Sequence, residues 1–465
     1  MNATLNPYDY FACEDEYPDL DVSAACERLA EALRCRTVWQ EEQTNWAEFE
    51  RLQALMRSAF PHVMAKGSFE LVGHSVLIIV PGSDPMLPAA QLIAHQDVVP
   101  VTPGTEGAWD HDAFSGYIDD EWVWGRGALD IKDMLMGELE AVEYLLAHGM
   151  QPRRTIVLAF GEDEEVHSHG ATALAAEMAR RGMRSAFLLD EGTTTFSDGA
   201  VWGAPGCVLT DICISQKGYL DVALHAPGRP GHSSNPFGGT SLEHLCRAVA
   251  RLADAKLAPE LTPIIAELLR ELKPYITAEP LRTLVCDVDG NAETIAQLLS
   301  GVRELHPFVT TTMAVDQLTG GSDAANVMPG DVTATVNFRL LPGTSGDEVL
   351  ALVEKAIAGT GVTAERLHET PAGRIDSVEG AGYAELKEAF EHFHPGALVV
   401  PSFVCGGTDS VRYEGVCDSI LRVCPFRPAP EEEARGVHGV NERISKRTYA
   451  QGIRVLIRLL EHTVG

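Results

Sequence analysis

The sequence predicts an α/β protein, a mostly parallel sheet covered by helices, interrupted by an inserted α+β domain. Three observations carry this. Short apolar runs alternate with stretches of helical period between Ser75 and Leu189. After Gly206 the pattern changes to two-residue alternation, and the α/β texture returns from Tyr383. Several apolar runs of the α/β parts discharge directly into acids or histidine; ligands of open α/β sheets bind outside such carboxyl ends.

Taken in order, Asp21–Phe60 is helical: Leu29, Leu33, Trp46, Phe49, Leu52, Leu55 and Met56 recur at three- and four-residue spacing. Ser75–Val80 and Gln91–Ala94 are strand-like, the second followed by a loop that closes on Pro100. Gly137–His148 reads as a helix stopped by Gly149, Thr155–Phe160 as a strand, Ala171–Arg181 as a helix stopped by Gly182, and Ala186–Leu189 as a strand. Tyr219–His225 alternates like a half-exposed antiparallel strand, and a helix over Ser241–Leu257 leads into a weakly patterned stretch ending near Phe308. Strands Val309–Gln317 and Asp331–Leu340, helix Ser345–Ala358 and strand Val362–Leu367 then give the order of a small α+β sandwich. Helix Tyr383–Phe393, a strand near Ala397–Val400, a Gly-Gly loop and a helix from Lys446 complete the first domain. The expected division is 1–212 and 373–465 for the α/β domain and 213–372 for the insertion.

A chain of 465 residues exceeds the size at which single cores stop growing, consistent with two domains. Its 45% hydrophobic and 22% charged residues are ordinary for a soluble globular protein. The formal charge of −31 argues against nucleic acid and anionic membranes as partners. No window approaches the length of a membrane helix, and the acidic first residues lack the basic and apolar regions of a signal peptide. Ten dispersed cysteines without a CxxC pair fit neither a disulfide framework nor a structural zinc site, so a cytoplasmic setting is expected.

The chemistry begins at His95-Gln96-Asp97, at the end of an apolar run. Residues two apart on an extended chain face one side, and a ligating His usually has its other nitrogen oriented by a partner. Acids recur at corresponding places: Asp130 in the turn Gly125-Arg126-Gly127-Ala128-Leu129-Asp130, Glu162-Asp163-Glu164-Glu165 after Phe160, and Asp190-Glu191 after Leu189. His438 stands ahead of the last helix. Singly these have plain explanations. An Asp before a helix is commonly its N-cap, an acidic run is a solvated loop, and an isolated His is a surface residue. Together at strand ends they form a donor set of imidazoles and carboxylates without thiolates, which suits catalytic zinc, cobalt or manganese. A carboxylate shared by two ions leaves room for a water, and of the neighbours Glu164 and Glu165 one can ligate while the other acts as general base.

These segments resemble the dizinc metallopeptidase and deacylase family that includes carboxypeptidase S, aminoacylase, acetylornithine deacetylase and succinyl-diaminopimelate desuccinylase. They are most similar to its carboxypeptidase S and N-fatty-acyl amino acid hydrolase branch. The motifs are AHQDVVP, WDHDAFSGYIDDEWVWGRGALDIKD, LAFGEDEEV, LLDEG, QKGYLDVALHAPG, GHSSNPFGGTS, NVMPG with VNFRLLPG, GGTDS and HGVNERI, from about residue 70 onward. The resemblance implies a zinc-exopeptidase-like catalytic domain with an inserted lid and dimerisation domain, two zinc ions per subunit, and a homodimer. Position by position, it makes His95 and Asp190 ligands of the first zinc and Asp97 the acid that orients His95. Asp130 becomes the bridging carboxylate, followed by a cis peptide, Glu165 and His438 the ligands of the second zinc, and Glu164 the general base. His232 resembles the histidine that reaches across a dimer interface to the oxyanion. Asn326, Arg339 and the loop Gly406-Gly407-Thr408 resemble the residues around the substrate carboxylate.

The implied activity is hydrolysis of an amide bond beside a free carboxylate, in N-acyl amino acids or short peptides cut from the C-terminal end. A water between the metals is the nucleophile. A narrow dipeptidase, a deacetylase of one biosynthetic intermediate, and an inactive metal-binding homologue are the alternatives; the retained Glu164 speaks against the last. The sequence departs from the family pattern at Ile131, where Asp or Asn is frequent, and at Val411-Arg412, where a basic-His pair is common. It departs again at His167-Ser168-His169, where Gly is common.

Overall fold

The computed structural model describes residues 7–193, 197–255, 257–428 and 436–465. Its large sheet runs in the order Ser68–Val72, Ser75–Val80, Ile156–Gly161, Ala89–His95, Ser185–Thr193, Ile420–Val423, Val208–Gln216, Ala397–Val404, with Ser197–Asp198 pairing Val208–Gln216. The centre is parallel: Ala89–His95 lies parallel to both of its neighbours, and Ser185–Thr193 to Ile420–Val423. Such strands are buried on both faces and read as unbroken apolar runs. Leu92 and Ala94 join the main core, while Ala89 and Ile93 face a second core on the other side of the sheet. Helices Lys132–Ala147 and Lys446–Val464 cover the first face and His169–Arg180 the second. No helix among the described residues is long and apolar enough to cross a membrane.

The inserted domain is a four-stranded antiparallel sheet ordered Thr312–Thr319, Val332–Leu340, Gly218–Ala226, Thr363–Thr370. Helices Ser241–Asp254 and Gly346–Ile357 bury Leu245, Leu252, Val349 and Val353 against Leu220, Val222, Val336 and Phe338. Each helix begins with a reciprocal capping box, Thr240 with Glu243 and Ser345 with Glu348, which satisfies two otherwise orphan N–H groups.

The domain division differs from expectation in two places. Strand Val208–Gln216 belongs wholly to the large sheet, so the chain crosses over at Lys217 rather than at 212. The weakly patterned stretch holds the helices Pro263–Leu272, Leu281–Leu284, Ala292–Ser300 and His306–Val309. Their Ile265, Leu269, Leu272 and Leu299 are buried in one core with Val399 and Phe403 of the large sheet, not in the insertion. Helices of four to ten residues are too short to build the period that identifies a helix in sequence.

Candidate metal centre and active-site cleft

Parallel neighbours end at one edge, and that edge gathers the site. His95 closes Ala89–His95 in register with Gly161, so the acids after Gly161 emerge beside it, with Asp190 and Glu191 on the other flanking strand. Asp130 comes from the loop between Trp122–Trp124 and Lys132–Ala147. In that loop Gly127 has φ +90°, and a Cβ there would stand 2.7 Å from Val98 Cγ1. The peptide bond after Asp130 is cis.

One clamp joins this loop to the distant His438. Glu442 accepts hydrogen bonds from the backbone N–H groups of Gly127 (3.0 Å) and Leu129 (2.9 Å) and pairs with Arg126. Arg126 in turn donates to the carbonyls of His438 (3.1 Å) and Gly439 (3.2 Å). Residues more than 300 apart are thereby held on either side of the Asp130 carboxylate.

The donors converge in two groups that share Asp130. His95 Nε2 lies 3.1 Å from Asp130 Oδ1 and 3.7 Å from Glu191 Oε1. His438 Nε2 lies 3.1 Å from Asp130 Oδ2 and 3.2 Å from Glu165. Within each group the ligand atoms are all within 4.8 Å of one another. Asp130 is not a helix cap: the cap position of Lys132–Ala147 is Ile131, with no side-chain cap bond. Asp97 stands behind His95. Its carboxylate is 3.3 Å from Nδ1, the Asp97 carbonyl is 3.0 Å from the same nitrogen, and the carboxylate oxygens also accept the N–H groups of Glu164 (3.1 Å) and Glu165 (3.2 Å). That leaves Nε2 as the nitrogen facing the donor group.

Electrostatics favour a cation here. Burial and the neighbouring Asp130 charge push the Glu191 carboxyl well above its usual range, and burial with the Glu191 charge does the same to Glu164. Burial alone would raise Asp130 too, but bonds from His438 and His95 hold it low. Facing Asp130 and Glu165, His438 is pushed up to about 10. Two imidazoles beside this many carboxylates form the hard and borderline donor set of a zinc, cobalt or manganese centre, and no thiolate takes part.

The two adjacent acids of the neighbouring strand differ in placement. Asp190, expected as a ligand of the first ion, lies outside the group His95, Asp130 and Glu191. Successive strand residues face opposite sides. The Asp190 carboxylate instead accepts the backbone N–H groups of Ser410 (2.9 Å) and Glu191 (2.8 Å). Two-residue alternation along LLDEG was the available signal, yet it leaves open which of two adjacent acids faces the metals.

A cleft of about 580 Å³ opens between the domains. Glu164, Gly407 and Thr408 line one wall and Tyr219, Arg339 and His368 the other. Thr408 donates its N–H (3.3 Å) and hydroxyl (3.1 Å) to Gln216 Oε1, which fixes the Gly-Gly loop to the large sheet; Gly406 is exposed beside it. His167, His169 and Arg412, three of the departures from the family pattern, also line the cleft. His232 and Asn326 lie elsewhere, exposed at the tip of the insertion: His232 pairs with Val327, its Nδ1 is 2.8 Å from Ser234 Oγ, and the Asn326 carbonyl accepts the Ser233 N–H. Neither contacts the donor groups among the described residues. Arg126, Gln216, Glu442 and Lys217 carry roles that sequence reading passed over, because polar residues buried by distant partners leave no local pattern.

The family model for peptidase family M20/M25/M40 matches residues 92–462. N-fatty-acyl-amino acid synthase/hydrolase PM20D1 of Xenopus tropicalis is 32% identical over 450 residues, covering 94% of this chain and 85% of that protein. Probable carboxypeptidase S-like 2 of Dictyostelium discoideum is 28% identical over 458 residues, covering 97% and 87%. The solved structure of the M20 family metallo-carboxypeptidase Sso-CP2 from Sulfolobus solfataricus shares the fold, with a TM-score of 0.68 at 20% identity over 94% of this chain and 98% of that one. Matched along most of its length, strand-end donors included, the chain belongs to peptidase family M20/M25/M40 and is a metallohydrolase.

Proposed function

We propose that the protein is a dizinc hydrolase of an amide bond adjacent to a free carboxylate, acting on N-acyl amino acids or on short peptides from their C-terminal end. The observation that best supports this is the approach of His95 and His438 to the two oxygens of one carboxylate, each at 3.1 Å. His95, Asp130 and Glu191 would hold one ion, and His438, Asp130 and Glu165 the other. Such a centre lowers the pKa of a bound water toward about 7 and polarises a carbonyl. The remaining steps fall to the chain. Glu164, outside both donor groups and on the cleft wall, takes the proton of the attacking water and returns it to the leaving amine. Arg339 reads the free carboxylate with its forked donors, and the backbone at Gly406, Gly407 and Thr408 completes that cradle.

His232 and Asn326 are supplied from a second copy of the chain, the two subunits meeting through the inserted domains. The exposed tip on which both sit supports this. Ten unpaired cysteines support a reducing, cytoplasmic setting. The test is a hydrolysis screen of N-acyl amino acids and dipeptides with zinc, cobalt or manganese and a chelator control. Metal-dependent release of a free amino acid is expected; a fully loaded protein that cleaves nothing in the panel sinks the reading. Loss of the His232 imidazole should lower kcat by about 10²–10³ with metal retained. Mixed Glu164→Gln and His232→Ala subunits should regain activity if the histidine acts in trans, and no recovery overturns the sharing.

A further inference from the structure

Among the described residues, the cleft gathers cations that form no ion pair. The chain carries 67 acidic against 36 basic residues, and many of its arginines pair with carboxylates, as Arg28 does with Glu140, Arg181 with Glu70 and Arg458 with Glu388. The cations of the cleft are without such partners among the described residues. Arg339 lies over the Tyr219 ring, 4.7 Å from its centroid, and makes no ion pair among the described residues. Lys217, buried where the chain crosses between domains, donates Nζ to the Thr310 carbonyl at 2.8 Å and feels Arg339 as a like charge. Arg412 follows the Gly-Gly loop, and its buried Nε meets no acceptor.

Acids on the cleft wall do not neutralise them. Asp221 already accepts from the Tyr219 hydroxyl (2.8 Å) and the Asn337 amide (2.9 Å), and Glu164 is the proposed base. A charge removed from water without a partner is costly; Lys217 is buried and Arg339 and Arg412 are half-buried in the same lining, so the cleft favours anionic charge from the ligand. One carboxylate, beside the scissile amide, engages Arg339. Arg412 then remains. A long alkyl chain would be poorly served, since Val166 and Val411 are the aliphatic residues of the lining.

Resting on the hydrolase reading, we propose that the cleft selects substrates bearing a second carboxylate, read by Arg412. That group belongs either to the amino-acid side chain or to the acyl group, and two substrate pairs distinguish these: N-acetylglutamate against N-acetylglutamine, and N-succinylalanine against N-butyrylalanine. With the zinc-loaded full-length protein, kcat/KM for one dianion should exceed that of its neutral match by about tenfold or more, the worth of one charge-assisted bond. Arg412→Gln should collapse that ratio toward one, chiefly through KM, and Arg412→Lys should restore part of it. A wild-type ratio at or below one in both pairs, with the neutral substrates cleaved, overturns the proposal. So does an undiminished ratio in a folded, metal-loaded Arg412→Gln protein. If no substrate is cleaved, the hydrolase reading fails separately. Calorimetry on the Glu164→Gln protein then decides this inference: neither dianion binding more tightly than its neutral match overturns it.

Discussion

The two ends of the donor cluster are built in opposite ways. At one end His95 is 1% exposed, closes a buried parallel strand, and has Asp97 against its second nitrogen. At the other end His438 is 49% exposed, takes φ +65° in a loop, and among the described residues its ring meets the carboxylates it would share with a metal. The first end is organised by the sheet before any ligand arrives. The second is held through its backbone, by Arg126 on two carbonyls. A site held on rigid elements keeps its geometry better than one on a loop, so the His95 end should bind its ion more tightly and exchange it more slowly.

The largest effect tests what both ends share. Glu164→Gln should lower kcat by about 10²–10⁴ while metal analysis still finds both ions; an active variant removes Glu164 as base. Next come the adjacent acids. Glu191→Gln should release the ion of the His95 end and leave the other, whereas Asp190→Asn should keep both and disturb the Ser410 loop. The reverse pattern would restore Asp190 as ligand. Asp97→Asn should weaken metal affinity at the His95 end by about 10–100-fold, the usual scale for a partner behind a ligating histidine. Isotopic zinc exchange reads the contrast directly: two phases are expected, with His438→Ala deleting the faster, and a single phase means the two ends are equivalent.

The smallest effect lies on the cleft wall beyond both ends. Burial lowers the Lys217 ammonium from 10.5 to about 8. Between those values the unfolded chain holds a proton that the folded chain lacks, so this group adds stability as pH rises, by at most about 1.4 kcal/mol per pH unit. Denaturant midpoints at pH 8 and pH 10 should differ less in Lys217→Met than in the parent; an equal difference shows that Lys217 is better solvated than its buried position indicates.

Local pattern determined a good deal of this protein. Apolar runs of strand length located Ser75–Val80 and, as Gln91–Ala94, Thr155–Phe160 and Ala186–Leu189, the cores of strands Ala89–His95, Ile156–Gly161 and Ser185–Thr193, since a strand buried on both faces must be apolar throughout. Acids and histidines directly after those runs marked the site, because parallel strands deliver their ends to one edge. The motifs carried the family and implied roles for Asp130, Glu164, Glu165 and His438, of which Asp130, Glu165 and His438 lie together. Tertiary structure decided the rest. Glu191 rather than Asp190 faces His95, which depends on strand orientation and on Ser410 engaging Asp190. The helix Pro263–Leu272 joins the large core because its apolar face meets Ala397–Val404, a contact more than 100 residues away in sequence. Arg126, Glu442, Lys217 and Arg412 acquire meaning only from partners, or the lack of them, brought together by folding. Periodicity reports which side of an element is dry; which distant group a buried charge will meet is settled only when the elements pack.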